Sequence, residues 1–474
     1  MKKFSLYLVS VFLAILIHPI SHAEILNDTG QMSATKVFRV IAVKSEQDIV
    51  TAIEEARTKH LPISIMGKQH SQGGQSVAPN AIVLNMLTFN KIIAFDIKKK
   101  QVTVQSGIVW SDLQKFINQN NLAIRGMQSP NIFTVGGSMS VNAHGDDIRV
   151  GGVGKSVVAF HLILADGKKL YVTPQTDSTL WSAVIGGYGL LGVVSDVTLQ
   201  LTDNNYLASY YEEVDLKQLP AYFQQEVLNK PDIIFFYAHL NIVPGEDFLQ
   251  KMYVITYRNI HRYPGEIVPL DDPDRWNIIL APMFNFSRYS QFGKEFRWQV
   301  EQKVFRRFYD NHMVTRNNAM EKPVSFAANY RNSVDADWLQ EYFIPLQQLP
   351  KFIEKLREVV EKNKINLLNV TIRYVPAEKD FLLSYAKSDS FAVVLYFNQN
   401  VSLNNISKAE VWTRDLINAA LALKGNYYLP YQPMATREQF QQAYPAYQQF
   451  LQVKKKYDPQ GLFQSQFYLK YLAG

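Results

Sequence analysis

The stretch Ile65-Met66-Gly67-Lys68-Gln69-His70-Ser71-Gln72-Gly73-Gly74-Gln75-Ser76 decides how this 474-residue chain is read. Pro62 to Met66 has the short apolar run of a strand, and the glycines begin where it ends. Three glycines within eight positions let the backbone fold back and point successive N–H groups into one concavity. A pyrophosphate needs such a nest, but the same residues also suit a plain tight turn. The loop alone does not choose between them. It lacks the helix-opening G-x-G-x-x-G of a Rossmann dinucleotide site.

Two further glycine clusters favour the nest. One is Thr134-Val135-Gly136-Gly137-Ser138, followed by Asn142-Ala143-His144-Gly145; the other is Gly186-Gly187-Tyr188-Gly189-Leu190-Leu191-Gly192-Val193-Val194. Each adjoins an apolar run, and three such turns suggest backbone crowded around one large flat ligand. Gly151 to Ser156 ends like a phosphate loop, but Arg149 stands where that motif needs its first glycine. Around these clusters the rhythm is mixed α/β. A strand is expected over 36–43 and a helix from Ser45 with Ile49, Ala52, Ile53 and Ala56 on one face. Asp166-Gly167 reads as the turn of a hairpin.

From about residue 205 the texture changes, with dense Tyr and Phe and no long glycine runs. Phe235–Asn241, Lys251–Tyr257, Asn369–Tyr374 and Phe391–Phe397 read as strands, and 347–362 as a helix. The expected organisation is a leader over 1–23, a first domain over 36–204, a second over 205–438, and a segment over 439–474 that returns to the first. The second should be an antiparallel sheet backed by helices, giving an α+β protein. Lys2-Lys3, the apolar run Leu6–Ile17 and Ser21-His22-Ala23 have the three-part form of a secretory signal, so the mature chain is expected to be exported. Its removal takes the formal charge from +7 to about +5. The short lysine runs read as solvated faces and not as a nucleic-acid patch, and no transmembrane segment is expected after the leader. Cysteine is absent, which excludes thiol nucleophiles, Cys-bound metals and disulfides. No His, Asp or Glu cluster has metal-ligand spacing.

The stretch 36–203 resembles the FAD-binding domain of the vanillyl-alcohol oxidase superfamily, also called the PCMH type. Gly67-Lys68-Gln69-His70-Ser71-x-x-Gly74-Gln75-Ser76 is similar to the Gly-Arg-Gly-His-Ser-x-x-Gly-Gln pattern of its histidyl-flavin members. The resemblance implies FAD as cofactor, a PCMH-type domain under an antiparallel cap domain, and a covalent bond from His70 to the flavin. With no cysteine, any covalent link must run through a histidine. The cofactor residues it implies are Gly67, Lys68, Gln69, His70, Ser71 and Gln75 in the first loop, and Ser129, Thr134, Val135, Gly137, Ser138, Asn142 and Gly145 in the second region. Gly192, Val193 and Val194 complete the set.

Thr371-Ile372-Arg373-Tyr374-Val375-Pro376 resembles the substrate strand of the alditol and sugar-lactone oxidases, in which an acid and an arginine flank one residue. Arg373 is kept, but Thr371 replaces the acid. Tyr427-Tyr428-Leu429-Pro430-Tyr431 is similar to a segment of cytokinin dehydrogenases, yet Ser129 stands where those enzymes carry a catalytic Asp. The implied catalytic residues are Arg373, His144 and Tyr431. Arg373 is read as a substrate anchor or as one half of an ion pair. His144 is read as a base, since imidazole titrates near neutrality, or as a residue shaping the turn. The expected reaction is hydride transfer from the CH–OH group of an alcohol, polyol or sugar lactone, with oxygen or another electron acceptor as second substrate. Amine oxidation and a flavin-binding protein without catalysis are the alternatives.

Overall fold

A computed structural model describes residues 24–322 and 330–473, so the expected leader over 1–23 lies outside the described residues. The chain enters its first helix, Glu46–Lys59, through a capping box: Ser45 accepts the Asp48 N–H while the Asp48 side chain accepts that of Ser45. Ile49, Ala52, Ile53 and Ala56 are buried on one face, as their spacing demands. That face covers a parallel sheet in the order Arg39–Ala42, Ile82–Asn85, Ile63–Met66. The strand expected over 36–43 is split in two. Thr35–Val37 pairs with Glu24–Leu26, and the Phe38 N–H donates to the Ala81 carbonyl at 2.9 Å before Arg39–Ala42 joins the parallel sheet.

A second sheet follows in the order Lys169–Val172, Val157–Ile163, Val193–Asp203, Gln101–Gln105, Ile92–Asp96. Its first two strands form the expected hairpin, with Gly167 at φ +84 in a conformation that only glycine adopts freely. Leu122–Ile124 pairs with the far end of Val193–Asp203.

Only Asn204 and Asn205 separate Val193–Asp203 from Tyr206–Asp215, the first strand of the cap. The cap sheet runs in the order His312–Thr315, Tyr206–Asp215, Lys251–Asn259, Ile233–Leu240, Asn366–Val375, Ser390–Asn400, Asp335–Pro345, Asn426–Tyr427, antiparallel throughout. The helix expected over 347–362 is found as Leu349–Asn363, opened by Pro350 in its first turn and closed by Lys364 in the left-handed region. Phe352, Ile353, Leu356, Val359 and Val360 form its buried stripe, and it packs with helix Leu403–Ala422 against strand Asp335–Pro345. Covering one face of the sheet in this way leaves the other to face the first region.

The C-terminal segment returns to the first region. Ile63 donates to the Leu462 carbonyl at 2.8 Å, and Gln464 donates back to that of Ile63 at 2.9 Å. Lys454 is buried, with its ammonium donating to the carbonyls of Leu190 and Phe463 and to Asp458. Among the described residues no helix is long and apolar enough to cross a membrane.

Candidate active site

Strand Ile63–Met66 delivers the Gly67–Ser76 loop to the mouth of a cavity of about 420 Å³. Gly67 faces Thr134 so closely that a Cβ there would collide with the threonine hydroxyl, so the lack of a side chain at 67 is what lets the two loops approach. Thr134 caps the short helix Val135–Ser140, its hydroxyl accepting from the Gly137 N–H at 3.2 Å. Gln69 sits at φ +56, and the N–H groups of Lys68, Gln69, His70 and Ser71 have no protein acceptor among the described residues. They are therefore available to an anion. Buried polar atoms on the cavity wall are also left without partners: Ser76 Oγ, Ser129 Oγ, Gln128 Oε1 and His144 Nδ1. Atoms of this kind cost free energy unless a ligand satisfies them. His70 packs edge-on to Phe133 at 4.4 Å, and burial, helped by Lys68, holds its imidazole down to about 4.

The opposite wall is the open face of the cap sheet, and its side chains are set by cross-strand register. His239 pairs with Thr371, Thr371 with Val394, and Val394 with Glu341. Opposed residues in a sheet point to the same face. All four line the cavity, as do Asn369, Tyr396 and Leu339 in the next row. Glu341 is thus two strands from Thr371, about 10 Å along the row.

Glu341 binds across to the first region. Its Oε1 lies 2.6 Å from His144 Nε2, and its Oε2 is 3.4 Å from the Tyr431 hydroxyl. A carboxylate only accepts, so His144 donates through Nε2, and its buried Nδ1 has no partner among the described residues. Arg373 Nε stands 3.1 Å from Asp146 Oδ1, close enough to pair but off the line of a hydrogen bond. Lys322 donates to the other oxygen of Asp146 and lies 3.4 Å over the Tyr237 ring. Burial alone would raise the Asp146 carboxyl, but Lys322 and Arg373 hold it below the ordinary range. Burial, with Arg373 nearby, pulls the Lys322 ammonium down to about 8 against the pull of Asp146. His239 donates through Nδ1 to Asn369 Oδ1 at 3.1 Å, and burial keeps it neutral down to about 3.

Residues 38–173 match the FAD binding domain family, and residues 285–471 match the D-arabinono-1,4-lactone oxidase family. The chain belongs to the PCMH-type FAD-dependent oxidoreductases. It is 22% identical to the L-gulonolactone oxidase of Mus musculus over 86% of this chain and 89% of that protein. It is 25% identical to the putative D-arabinono-1,4-lactone oxidase of Neurospora crassa, over 67% of this chain and 56% of that one. Against the mitochondrial L-galactono-1,4-lactone dehydrogenase of Arabidopsis thaliana it is 25% identical over 48% and 35%.

In this FAD-dependent oxidoreductase the sequence-expected cofactor residues divide into two groups. Gly67, Lys68, Gln69, His70, Ser71, Gln75, Ser129, Thr134, Gly137, Ser138, Gly192 and Val194 line the cavity. Val135, Asn142, Gly145 and Val193 stand behind its wall. Val135 and Val193 are buried in the core, Asn142 Oδ1 accepts from the Gly154 N–H at 2.9 Å, and Gly145 packs on the Met127 carbonyl. The expected catalytic residues Arg373, His144 and Tyr431 all reach the cavity. Sequence reading missed Glu341, Lys322 and His239. Glu341 had a visible sign, a lone carboxylate before the aromatic and aliphatic run Tyr342-Phe343-Ile344 in a strand; Lys322, in a loop, had none.

Proposed function

We propose that this enzyme is exported, binds its flavin covalently through His70, and oxidises the carbinol carbon of a polyol or sugar lactone. Bound in the cavity, FAD supplies the acceptor for the hydride that leaves that carbon. One observation carries the reading: an acid, Glu341, and an arginine, Arg373, face the cavity whose other wall is the glycine loops. Glu341 takes the carbinol proton, because Oε1 is occupied by His144 while Oε2 has only the longer contact from Tyr431. His144 is then a positioning residue, holding the carboxylate through Nε2 with its own Nδ1 buried. Arg373 orients the substrate oxygen and offsets the negative charge that builds there as the proton departs.

Thr371 motivated the reading without catalysis, and Glu341 on the same row supplies the missing acid. The names of the relatives favour a lactone as first substrate to try. They include oxidases and a dehydrogenase, so oxygen consumption during turnover decides between oxygen and another acceptor. For His70, a neutral imidazole keeps the lone pair that a bond to carbon requires. The basic start, apolar run and small residues at Ser21 and Ala23 support export. Anaerobic mixing of the holoenzyme with alditols, aldoses, 1,4-lactones and amines tests the reaction, and bleaching of the flavin band by a CH–OH compound is expected. Bleaching by amines alone replaces it with the amine reading, and bleaching by nothing returns the chain to a flavin carrier. Acid precipitation should leave the yellow colour in the pellet; full release to the supernatant removes the His70 bond.

A further inference from the structure

The cap wall carries two cations, Lys322 and Arg373, and two carboxylates, Glu341 on its surface and Asp146 just behind it. Lys68, the other lysine that lines the cavity, stands on the opposite loop among the N–H groups open to an anion. The charges of the cap wall balance, so nothing on it calls for a charged substrate. At the end of the row away from Glu341 stand His239 and Thr371, with Asn369 in the next row. The proposed hydride transfer uses none of them. They are nevertheless linked side chain to side chain, and each hydrogen bond runs in one direction.

The chain starts at His239. Its ring is stacked on that of Tyr253, with centroids 5.2 Å apart and planes 7° from parallel, which fixes its orientation. Burial keeps the imidazole neutral down to about 3, so near pH 7 the ring carries a single proton. Nδ1 donates that proton to Asn369 Oδ1 at 3.1 Å, which leaves Nε2 an acceptor with no protein partner among the described residues. The amide of Asn369 turns its other end to Thr371, Nδ2 donating to Oγ1 at 2.9 Å. The Thr371 hydroxyl has thus accepted one hydrogen bond, and its own proton has no acceptor among the described residues. His239 and Thr371 are opposed in register, so this donor and this acceptor sit on neighbouring strands about 5 Å apart at the backbone. A hydroxyl group both accepts and donates, and satisfies the two at once. A carbonyl or ring oxygen would take the Thr371 proton but leave Nε2 unmatched, and a bare carbon would leave both.

We infer that Thr371 and His239 are specificity residues that together hold a second hydroxyl of the substrate, apart from the one that is oxidised. Thr371 is about 10 Å along the row from Glu341, which takes the carbinol proton, so the two residues meet different groups of one molecule. The inference rests on the CH–OH reading with a lactone as substrate, and it narrows that reading. The lactone is neutral and carries a hydroxyl beyond the reacting carbinol, and the enzyme discriminates against the deoxy compound. Asn369 sets the direction of both contacts.

The test compares neutral lactones that differ by one hydroxyl. The parent is 2-hydroxy-γ-butyrolactone, and its partners add a hydroxyl at C3 or a hydroxymethyl group at C4, in every diastereomer. Each is mixed anaerobically with the oxidised holoenzyme, and flavin bleaching is followed against concentration. In the wild type the best dihydroxy lactone should exceed the parent at least about 30-fold in kcat/KM. Thr371→Val keeps the side-chain shape without the hydroxyl, and should bring the two to within about threefold of each other. Thr371→Ser, which returns the hydroxyl, should restore the preference. Bleaching by parent and partners alike in the wild type overturns the inference and leaves the CH–OH reading standing. A preference that survives Thr371→Val also overturns it. Bleaching by no lactone at all removes the lactone reading and this inference with it. Flavin content of the variants, measured first, shows that each one folds and loads.

Discussion

The two walls of the cavity are built on different principles. The lower wall is mostly backbone: three loops whose glycines let chain approach chain, with Gly67 against Thr134 and Gly136 against Ser106. The upper wall is side chain: a row from His239 through Thr371 and Val394 to Glu341, contributed by four strands spread over more than 150 residues. A backbone wall needs particular residues at neighbouring positions, so it leaves a contiguous motif. A side-chain wall needs only matching register between distant strands, and so its acid can move from one strand to another without disturbing the fold.

The largest effect is expected on the upper wall. Glu341→Gln preserves shape and the contact to His144 but removes the proton acceptor, and should slow anaerobic flavin reduction by about 10³-fold while flavin content stays normal. A variant that reduces its flavin at the wild-type rate would show that the row is scenery. The lower wall should break at a single methyl group. In Gly136→Ala the new Cβ would stand 2.7 Å from Ser106 Cβ and 2.9 Å from its carbonyl oxygen. That overpacking should cost up to about 3 kcal/mol and appear as lost flavin and a lower Tm, with little change in the rate per bound flavin.

His239 sharpens the contrast through pH. Its imidazole titrates near 3 in the folded protein and near 6.5 when free, so below pH 6.5 the unfolded chain binds a proton that the native one refuses. Stability is therefore lost as the medium turns acid, by about 2 kcal/mol between pH 8 and pH 5 from this group alone. Urea midpoints at the two pH values should show that loss in the wild type and a smaller one in His239→Asn. The smallest effect tests whether the acid really can migrate. Adding Thr371→Glu to Glu341→Gln should restore about tenfold of the lost rate, because both positions face Val394 from either side. No recovery would mean that the His144 contact, and not merely a carboxylate on the row, is what the reaction needs.

This contrast also accounts for what the sequence revealed. The helix capped by Ser45, the Asp166-Gly167 hairpin, the cap strands and the helix after Pro345 were legible because period and capping are local. The glycine loops were legible because backbone crowding leaves a motif. Arg373, His144 and Tyr431, which all line the cavity, were singled out through the segments that carry them, but the residues they contact were not. Glu341 is 30 residues before Thr371 in the chain, and only the pairing of both strands with Ser390–Asn400 brings the two to one row. Asp146 and Lys322 meet from two loops 176 residues apart, a contact no periodicity encodes. Asn142 and Gly145 show the converse: they belong to the same motif, yet they pack behind the cavity wall, on Gly154 and the Met127 carbonyl.

The strand that carries the His70 loop is held at its outer edge by the final residues of the chain. Ile63 exchanges hydrogen bonds with Leu462 and Gln464, and the Gln466 N–H is shared by the carbonyls of Gly74 and Val77. During synthesis, the loop is made some 390 residues before the segment that fixes it. The cofactor loop therefore gains these bonds only once residues 462–466 have been made. A chain stopped at Gln460 loses every one of these bonds and should be made and yet remain colourless.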